Sequence, residues 1–248
     1  MKYSMLMPYY NRSQQLKNTL TTFHHFYADR NDYEIIIIED MKNIKDQKKH
    51  EDLWKVIEGH ANIKLISYTR ENCYNPAGMF NVGASHCQGM FLILTNPEVL
   101  HEANVLKGFD DLLEENPDQY YICFCKSVIN VNDFETFEDM KYTINPTKNW
   151  YVHPRWNRRL FHFCSVLHKD LFEKIGGFSE EFINGIASED RDFANKIKSN
   201  NIPSRLVPLV VCHQQHERFS LPKHEMQKRV SINREILIRK WGKQIYDS

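Results

Sequence analysis

The chain has 248 residues, of which 42% are hydrophobic and 26% are charged, with 32 basic and 32 acidic side chains. This length suits one large domain, and the balanced charge argues against a protein held to nucleic acid by bulk electrostatics, because such domains are usually strongly basic. No apolar run reaches the roughly 20 residues of a membrane-spanning helix, and the N-terminal residues lack the cleavage site of a signal peptide.

The first half of the chain alternates between short apolar runs and amphipathic segments. The apolar runs predict strands at residues 3–7, 33–39, 63–68 and 90–94. Helical spacing predicts helices from Ser13, around Leu53 and at 76–86. The last of these contains Gly78 and Gly83, which indicate a close approach of the backbone to a ligand or to the sheet.

The second half continues this alternation with one interruption. We predict helices at 103–113, 168–175, 189–198 and 226–241, and strands at 120–131 and 205–212. Between them, residues 132–157 are polar and aromatic without a clear period, which predicts a long loop over the sheet. Strands that alternate with helices favour a single α/β domain with a mostly parallel central sheet flanked by helices.

The six cysteines do not form a C-x-x-C pair. Cys123 and Cys125 alternate along one predicted strand, so they are expected to share a face of the core rather than to bind a metal. This pattern favours a reducing, cytoplasmic setting.

Polar residues follow the first two predicted strands, where open α/β sheets bind their ligands. The segment Pro8-Tyr9-Tyr10-Asn11-Arg12 could hold a base or ribose, or it could be a turn capped by Asn11 or Ser13. Glu39 and Asp40 end the second strand, where a carboxylate can accept a hydrogen bond from a base N–H or a ribose hydroxyl. A solvated turn is the alternative.

Three further clusters follow later apolar or glycine-containing segments. Asn96 and Glu98 could together bind a hard divalent cation, although Asn96-Pro97 also favours a plain turn. Glu189 and Asp190 open a predicted helix, where one carboxylate could act as a general base and the other could cap the helix. His213 and His216 follow a third apolar run, and imidazole is a common metal ligand.

Taken in order, these segments resemble the family-2 glycosyltransferases with the GT-A fold, a Rossmann-like nucleotide-sugar-binding architecture. The resemblance rests on PYYNR, IIIIED and NPAGMFNVGASHCQGMFLILTNPE in the first half of the chain. It rests most strongly on FHFCSVLHKDLFEKIGGFSEEF and GIASEDRDFANKI in the second half. It implies a nucleotide-binding half at 1–100, an acceptor-binding half at 101–220 and a C-terminal basic helix at 221–248.

The resemblance also implies a role for each cluster. The residues implied to bind the nucleotide or donor are Pro8, Tyr10, Arg12, Glu39, Asp40, Asn81 and Asn96. Glu98 and His213 would bind Mn²⁺ or Mg²⁺, with His216 as a further candidate. Asp190 would be the catalytic base, with Glu189 beside it reaching the donor or acceptor sugar. Trp156, in the aromatic segment, is an additional candidate site residue.

The implied reaction is a metal-assisted, inverting transfer of a hexosyl or pentosyl group from a nucleotide-sugar, most readily a UDP-sugar, to a hydroxyl of a saccharide. Asn96 departs from the resemblance, because the family usually has Asp at this position, so one formal charge is missing from the metal site. Two alternatives remain open at this point. One is a degenerate module that binds nucleotide without transferring sugar, and the other is transfer to a hydroxylated base in DNA, which basic residues near the C-terminus could hold.

Overall fold

The apolar runs of the sequence form the strands of one sheet in the structure, a computed structural model that describes residues 1–70, 75–217 and 221–243. The strands are β1 (Tyr3–Tyr9), β2 (Tyr33–Asp40), β3 (Ile63–Tyr68), β4 (Phe91–Thr95), β5 (Val99–His101), β6 (Tyr120–Ile129), β7 (Thr143–Ile144), β8 (Trp150–Val152), β9 (Cys164–His168) and β10 (Ser204–Gln214). The α-helices are α1 (Ser13–Tyr27), α2 (Met41–Ile44), α3 (Gln47–Ile57), α4 (Ala77–Ser85), α5 (Val105–Glu115), α6 (Lys169–Lys174), α7 (Glu189–Ser199) and α8 (Lys223–Trp241).

The strand order is β3-β2-β1-β4-β9-β6-β10-β5, and β7 and β8 pair with β6 away from this path. The first four strands of this order and the β6–β10 pair are parallel. Antiparallel pairing occurs where β9 lies between β4 and β6, and where β5 pairs with β10. The predicted α/β domain with a mostly parallel sheet flanked by helices is confirmed.

The core of the domain lies on both faces of this sheet. Every residue of β2 and of β4 is buried, as expected for apolar strands that are covered by helices on both sides. Helix α4 packs directly on the sheet, since a Cβ atom at Gly83 would lie only 2.8 Å from Cδ1 of Ile38. The predicted close approach at this glycine is therefore to the sheet.

The segment 132–157, predicted to be a long loop, is mostly irregular but contains short regular elements. This segment contains a 3₁₀ turn at Phe137–Asp139 and the two short strands β7 and β8, which pair with β6. Strands of two or three residues are too short to show a period in the sequence, so their pairing with β6 decides their structure. The predicted helix at 168–175 is likewise preceded by an unpredicted strand, β9.

The cysteines of the described part of the chain are all buried and free, and Cys123 and Cys125 lie in the core as expected. Cys73 lies outside the described residues. Within the described residues, none of the helices has the length and apolar character that crossing a bilayer requires.

Candidate active site

A cavity of about 270 Å³ opens at the carboxyl ends of β1, β2 and β4. Its walls come from the strand ends, from α2 and from the start of α4. The lining residues are Pro8, Tyr9, Tyr10, Arg12, Asp40, Lys42, Asn75, Pro76, Met79, Asn96 and Glu98. The structure thus brings together Pro8, Tyr10, Arg12, Asp40, Asn96 and Glu98 of the predicted set.

The turns that follow β1 and β2 are stabilised by side-chain hydrogen bonds. Asn11 has a φ of 49°, in the left-handed region that Asn tolerates, and its backbone N–H donates to Oδ1 of Asn43 at 3.0 Å. Asp40 caps α2 by accepting the backbone N–H of Lys42 at 2.7 Å. Burial raises the pKa of the Asp40 carboxyl, partly offset by this hydrogen bond. The same carboxylate lines the cavity.

Glu39 does not line this cavity, unlike its neighbour Asp40. Adjacent residues of a strand point to opposite faces, so only one of the two can face a ligand on a given side. The Glu39 side chain is fully buried, where it accepts a hydrogen bond from Nδ2 of Asn43 at 2.6 Å and lies 2.9 Å from Nδ1 of His50. It therefore connects β2 to α2 and α3.

Asn81 also lies away from the cavity walls. Its Nδ2 donates to the carbonyl of Phe178 and its Oδ1 accepts the backbone N–H of Phe178, both at 2.9 Å. This pair of bonds ties α4 to the Gly176-Gly177 turn. In the structure Asn81 therefore connects two segments of the chain and is not part of the cavity lining.

Glu98, in the cavity wall, belongs to a cluster of one carboxylate and two imidazoles, and the two imidazoles line a neighbouring depression. The antiparallel pairing of β5 with β10 places His213 opposite Val99, and so brings His213 beside Glu98. Nε2 of His213 and Nε2 of His216 lie 3.4 Å and 3.3 Å from Oε1 of Glu98. One ligand atom from each of the three residues lies within 4.8 Å of the others, which is the spacing that a metal ion needs.

The charge of Glu98 is favoured by its neighbours. Burial alone would raise the pKa of its carboxyl, but hydrogen bonds and positive charge from His213 and His216 hold it well below its usual range. The guanidinium of Arg12 adds a further positive group, with Nε 4.0 Å from Oε2 of Glu98. An ionised, largely buried carboxylate beside two imidazoles is a suitable donor set for a divalent cation.

Tyr151 supports this cluster although it lies in the segment predicted to be a loop. Its ring centroid lies 4.8 Å from that of His213, and the ring of Phe163 contacts the same imidazole at 5.2 Å. The two aromatic rings restrict the orientation of His213. The alternation within β8 is too short to have revealed this contact from sequence.

The second acidic cluster lies at the start of α7 and is connected to the cavity through Asn75. Nδ2 of Asn75 donates to Oε2 of Glu189 at 2.6 Å, while its Oδ1 caps α4 by accepting the N–H of Ala77 at 3.0 Å. Asn75 is not among the site residues predicted from the sequence. The sequence signal for it is its position directly before Pro76 and the predicted helix.

The two carboxyls of this cluster are half-buried and influence each other. Burial, followed by the charge of Asp190, raises the pKa of Glu189 from 4.5 to about 8. Burial also raises the pKa of Asp190, although the backbone N–H and the charge of Arg191 oppose it. The pair therefore retains a proton at higher pH than isolated carboxyls would.

The backbone that leads into this pair is unusual. Ala187 and Ser188 have φ values of 62° and 77°, in the left-handed region that residues with a Cβ rarely adopt. Ser188 makes no side-chain capping bond to α7. Instead, Nδ2 of the buried Asn233, from α8, donates to the carbonyls of Phe182 at 2.9 Å and Ala187 at 2.7 Å. Helix α8 thereby holds the loop that presents Glu189 and Asp190.

Trp156 is not brought to the cavity. Its side chain is highly exposed, with a relative exposure of 63%, and stacks on His153 with ring centroids 4.1 Å apart. With Trp150 it lines a separate depression formed by residues 146–150, 156 and 157.

The fold is shared with solved glycosyltransferase structures. The structure of S. aureus TarS 1–349 in complex with UDP-GlcNAc matches with a TM-score of 0.66 at 14% identity, over 100% of this chain and 74% of that one. GalNAc-T7 with UDP, GalNAc and Mn²⁺ matches with a TM-score of 0.70 at 13% identity, over 99% of this chain and 50% of that one. A longer S. aureus TarS structure matches with a TM-score of 0.61 at 15% identity, and this chain covers 37% of it.

Comparison with curated protein sequences gives no match. The sequence itself matches the model of the glycosyl transferase family 2 over residues 4–176, a span that includes the cavity residues of β1, β2, α4 and β4. With this match over more than half of its length, the chain belongs to glycosyl transferase family 2.

Proposed function

We propose that the protein transfers a sugar, with inversion, from a UDP-sugar to an acceptor hydroxyl, in a reaction assisted by a divalent cation. The observation that carries this proposal is a cavity whose wall includes one member of the possible metal cluster, Glu98, and the hydrogen-bond partner of Glu189, Asn75. Glu98 clusters with His213 and His216, and Asn75 links the cavity to the Glu189–Asp190 pair.

The donor assignment is supported by the cavity walls and by two structural neighbours. Asp40 offers a carboxylate that can accept a hydrogen bond from a uracil N–H or a ribose hydroxyl. Arg12 also lines the cavity, with Nε 4.0 Å from Oε2 of Glu98, and a guanidinium suits a diphosphate. The TarS neighbour holds UDP-GlcNAc and the GalNAc-T7 neighbour holds UDP. On this proposal residues 1–100 form the nucleotide half and 101–220 the acceptor half, followed by the C-terminal helix.

The three clustered side chains fit a divalent transition-metal ion. Two imidazoles and one carboxylate favour Mn²⁺ over Mg²⁺, because Mg²⁺ prefers oxygen ligands. A cation bound there would counter the negative charge that develops on the departing nucleoside diphosphate. Asn96 stands two residues before Glu98 and also lines the cavity. Its side chain offers a neutral carbonyl oxygen as a further ligand.

Asp190 is the proposed general base. It would take the proton of the acceptor hydroxyl while that oxygen attacks the anomeric carbon on the face opposite the diphosphate. The bond between the anomeric carbon and the diphosphate oxygen then breaks, which inverts the configuration. Glu189, held by Asn75, would position the donor or acceptor sugar beside the base.

Two other functions are weighed against this one. Asn96 favours a degenerate module that binds nucleotide without transferring sugar, because the site lacks one formal charge. For the DNA alternative, three basic residues of α8 already have acidic partners: Arg229 pairs with Glu225 at 2.7 Å, Arg239 with Glu181 at 2.9 Å, and Lys240 with Asp192 at 2.9 Å. These three basic groups are therefore engaged within the domain.

Replacement of the base separates transfer from binding. In the Asp190→Asn variant we expect sugar transfer, or donor hydrolysis with Mn²⁺ where no acceptor is supplied, to fall by at least about 100-fold, while UDP binding is retained. Asp118→Asn, at an exposed site away from the cavity, is the matched control. Unchanged turnover in Asp190→Asn would refute the assignment of the base, and absence of any turnover in the wild-type protein would favour the degenerate module.

A further inference from the structure

A second groove, of about 630 Å³, runs along α7 and carries a strong positive charge. One wall is the segment from Arg158 to Phe161, and the other is the face of α7 that presents Arg191, Asn195 and Lys198. These α7 positions are spaced by four and three residues, so they lie on one side of the helix. Residues 201–204 close the far end.

The lining of this groove includes four basic side chains and no carboxylate: Arg158, Arg159, Arg191 and Lys198. Arg158, Arg159 and Lys198 are exposed. Within residues 1–70, 75–217 and 221–243, no carboxylate lies within ion-pair distance of these three. In a chain whose basic and acidic residues balance at 32 each, this local excess of positive charge favours ligands of opposite charge.

The groove lies beside the proposed catalytic base, because its lining includes Arg191, the next residue of α7. Arg191 directly follows Asp190, and the charges of Arg191 and Arg159 oppose the effect of burial on the pKa of the Asp190 carboxyl, so both guanidinium groups lie near it. From Arg191 the basic face continues to Lys198, roughly 10 Å along the helix axis. A chain-like ligand in the groove would therefore have one unit near Asp190 and further units beyond it.

We propose that this groove binds the acceptor, and that the acceptor is an anionic glycan whose repeating units carry carboxylates or phosphodiesters. The inference rests on the proposed glycosyl transfer and specifies its acceptor class. Guanidinium and ammonium groups recognise both kinds of anion. Asn195, Asn201 and Ser204, which line the same groove, offer amide and hydroxyl groups for sugar hydroxyls.

A glycan fits this groove better than a single-stranded nucleic acid. Proteins that bind single strands combine basic grooves with exposed aromatic rings on which the bases stack. The aromatic residue in this lining is Phe161, and the guanidinium of Arg159 lies over its ring, 5.5 Å from the centroid. That ring face is already covered.

Charge-neutralising variants test the proposal without touching the base. We would compare Arg158→Gln/Lys198→Gln with Lys55→Gln/Lys64→Gln, which removes the same charge at exposed positions of α3 and β3 near the opposite edge of the sheet. The labelled probes are an oligogalacturonate hexamer, a phosphomannan fragment, neutral maltohexaose and hexathymidylate. Fluorescence anisotropy at low and at moderate salt measures their binding.

We expect at least one anionic glycan to bind the wild-type protein, and its affinity to fall about tenfold in the groove variant and with added salt, but not in the control variant. The tighter of the two anionic probes then distinguishes carboxylate from phosphodiester. Equal binding of maltohexaose, equal affinity of the groove and control variants, no binding of either anionic glycan, or tighter binding of hexathymidylate would each overturn the proposal.

A parallel titration with UDP and Mn²⁺ separates this inference from the proposed function. The groove variant should bind UDP as the wild-type protein does, because none of its substituted residues lines the nucleotide cavity. Failure of UDP to bind any of the proteins would refute the donor site, while the anisotropy measurements, made without nucleotide, still decide the groove.

Discussion

Asn96 is the residue at which this chain departs from the usual acidic metal motif of the proposed enzyme class. Its side chain lines the cavity next to a cluster whose only carboxylate, among the described residues, is Glu98. A neutral ligand at this position should leave cation binding weak in the absence of nucleotide. The site would then depend on the donor diphosphate to complete it.

The variant Asn96→Asp should therefore bind Mn²⁺ more tightly, by on the order of tenfold, because it adds a negative charge to the cavity wall that also contains Glu98. Calorimetric titration with Mn²⁺ measures this change. Asn31→Asp, at an exposed position between α1 and β2, adds the same charge elsewhere. An equal gain in both variants would show that net charge, and not the site, is responsible.

Glu189 makes a second prediction, about stability and pH. Its pKa is raised in the folded protein from 4.5 to about 8, so between these values the folded state keeps a proton that the unfolded state has lost. The free energy of unfolding contributed by this group must then decrease as pH rises from about 4.5 to about 8. Below pH 4.5 the Glu189 carboxyl is protonated in both the folded and the unfolded state, so it adds no pH dependence to the free energy of unfolding.

We expect Glu189→Gln to flatten this decrease, and to be more stable than the wild-type protein at pH 8. Urea denaturation between pH 5 and pH 8.5 measures the free energy of unfolding at each pH. Glu114→Gln, on the exposed face of α5, should keep the wild-type slope. A variant at position 189 with an unchanged slope would contradict the raised pKa.

At the scale of single residues, sequence identified which strand ends carry polar groups but not which way each side chain points. Asp40 faces the cavity while Glu39 is buried behind it, because the alternation of the strand separates them. Asn81 shows the same limit, since its partner Phe178 is distant in sequence. Orientation depends on packing against such distant segments.

Among the elements, α8 has a role that its sequence did not reveal. Its basic residues suggested a possible contact with DNA, yet Asn233 is fully buried and donates hydrogen bonds to two carbonyls of the loop before α7. Lys240 adds a bond to the buried carboxylate of Asp192 in α7, 2.9 Å away. The helix thereby fixes the left-handed backbone that precedes Asp190.

Asn233→Ala should lower the free energy of unfolding by about 1–3 kcal/mol, because it removes the two hydrogen bonds that this buried side chain donates to the carbonyls of Phe182 and Ala187. It should also reduce transfer more than UDP binding, since the loop carries the proposed base and not the nucleotide cavity. Urea denaturation and UDP titration measure the two effects. Gln227→Ala, at an exposed position of α8, is the control, and equal stability of the two variants would contradict the role of Asn233.

Long apolar strands were predictable at this scale and short paired ones were not. The runs that form β1, β2 and β4 carry their own signal, since they are buried on both faces. β5, β8 and β9 acquire their structure from antiparallel pairing with β10, β6 and β4. Because β5 and β10 bring Glu98 to His213, sequence could suggest the metal cluster only through resemblance.

At the scale of the whole molecule, the sheet brings residues that are distant in sequence, from Pro8 to His216, to the carboxyl ends of its parallel strands. The parallel strands β1, β2 and β4 supply the cavity, and the β5–β10 pair adds the imidazoles. The order of the strands thus places the proposed donor site, the cation cluster and the base along one face. The basic groove on α7 extends this arrangement toward the proposed acceptor.

We expect the cavity at the carboxyl ends of β1, β2 and β4 to bind a nucleoside diphosphate together with a divalent cation. Calorimetric titration of the purified protein with UDP, with and without Mn²⁺, tests this expectation most directly. We predict UDP binding that is at least about tenfold tighter with Mn²⁺. Binding that is indifferent to Mn²⁺ would contradict the cation cluster, and no binding under either condition would contradict the account of this cavity as the donor site.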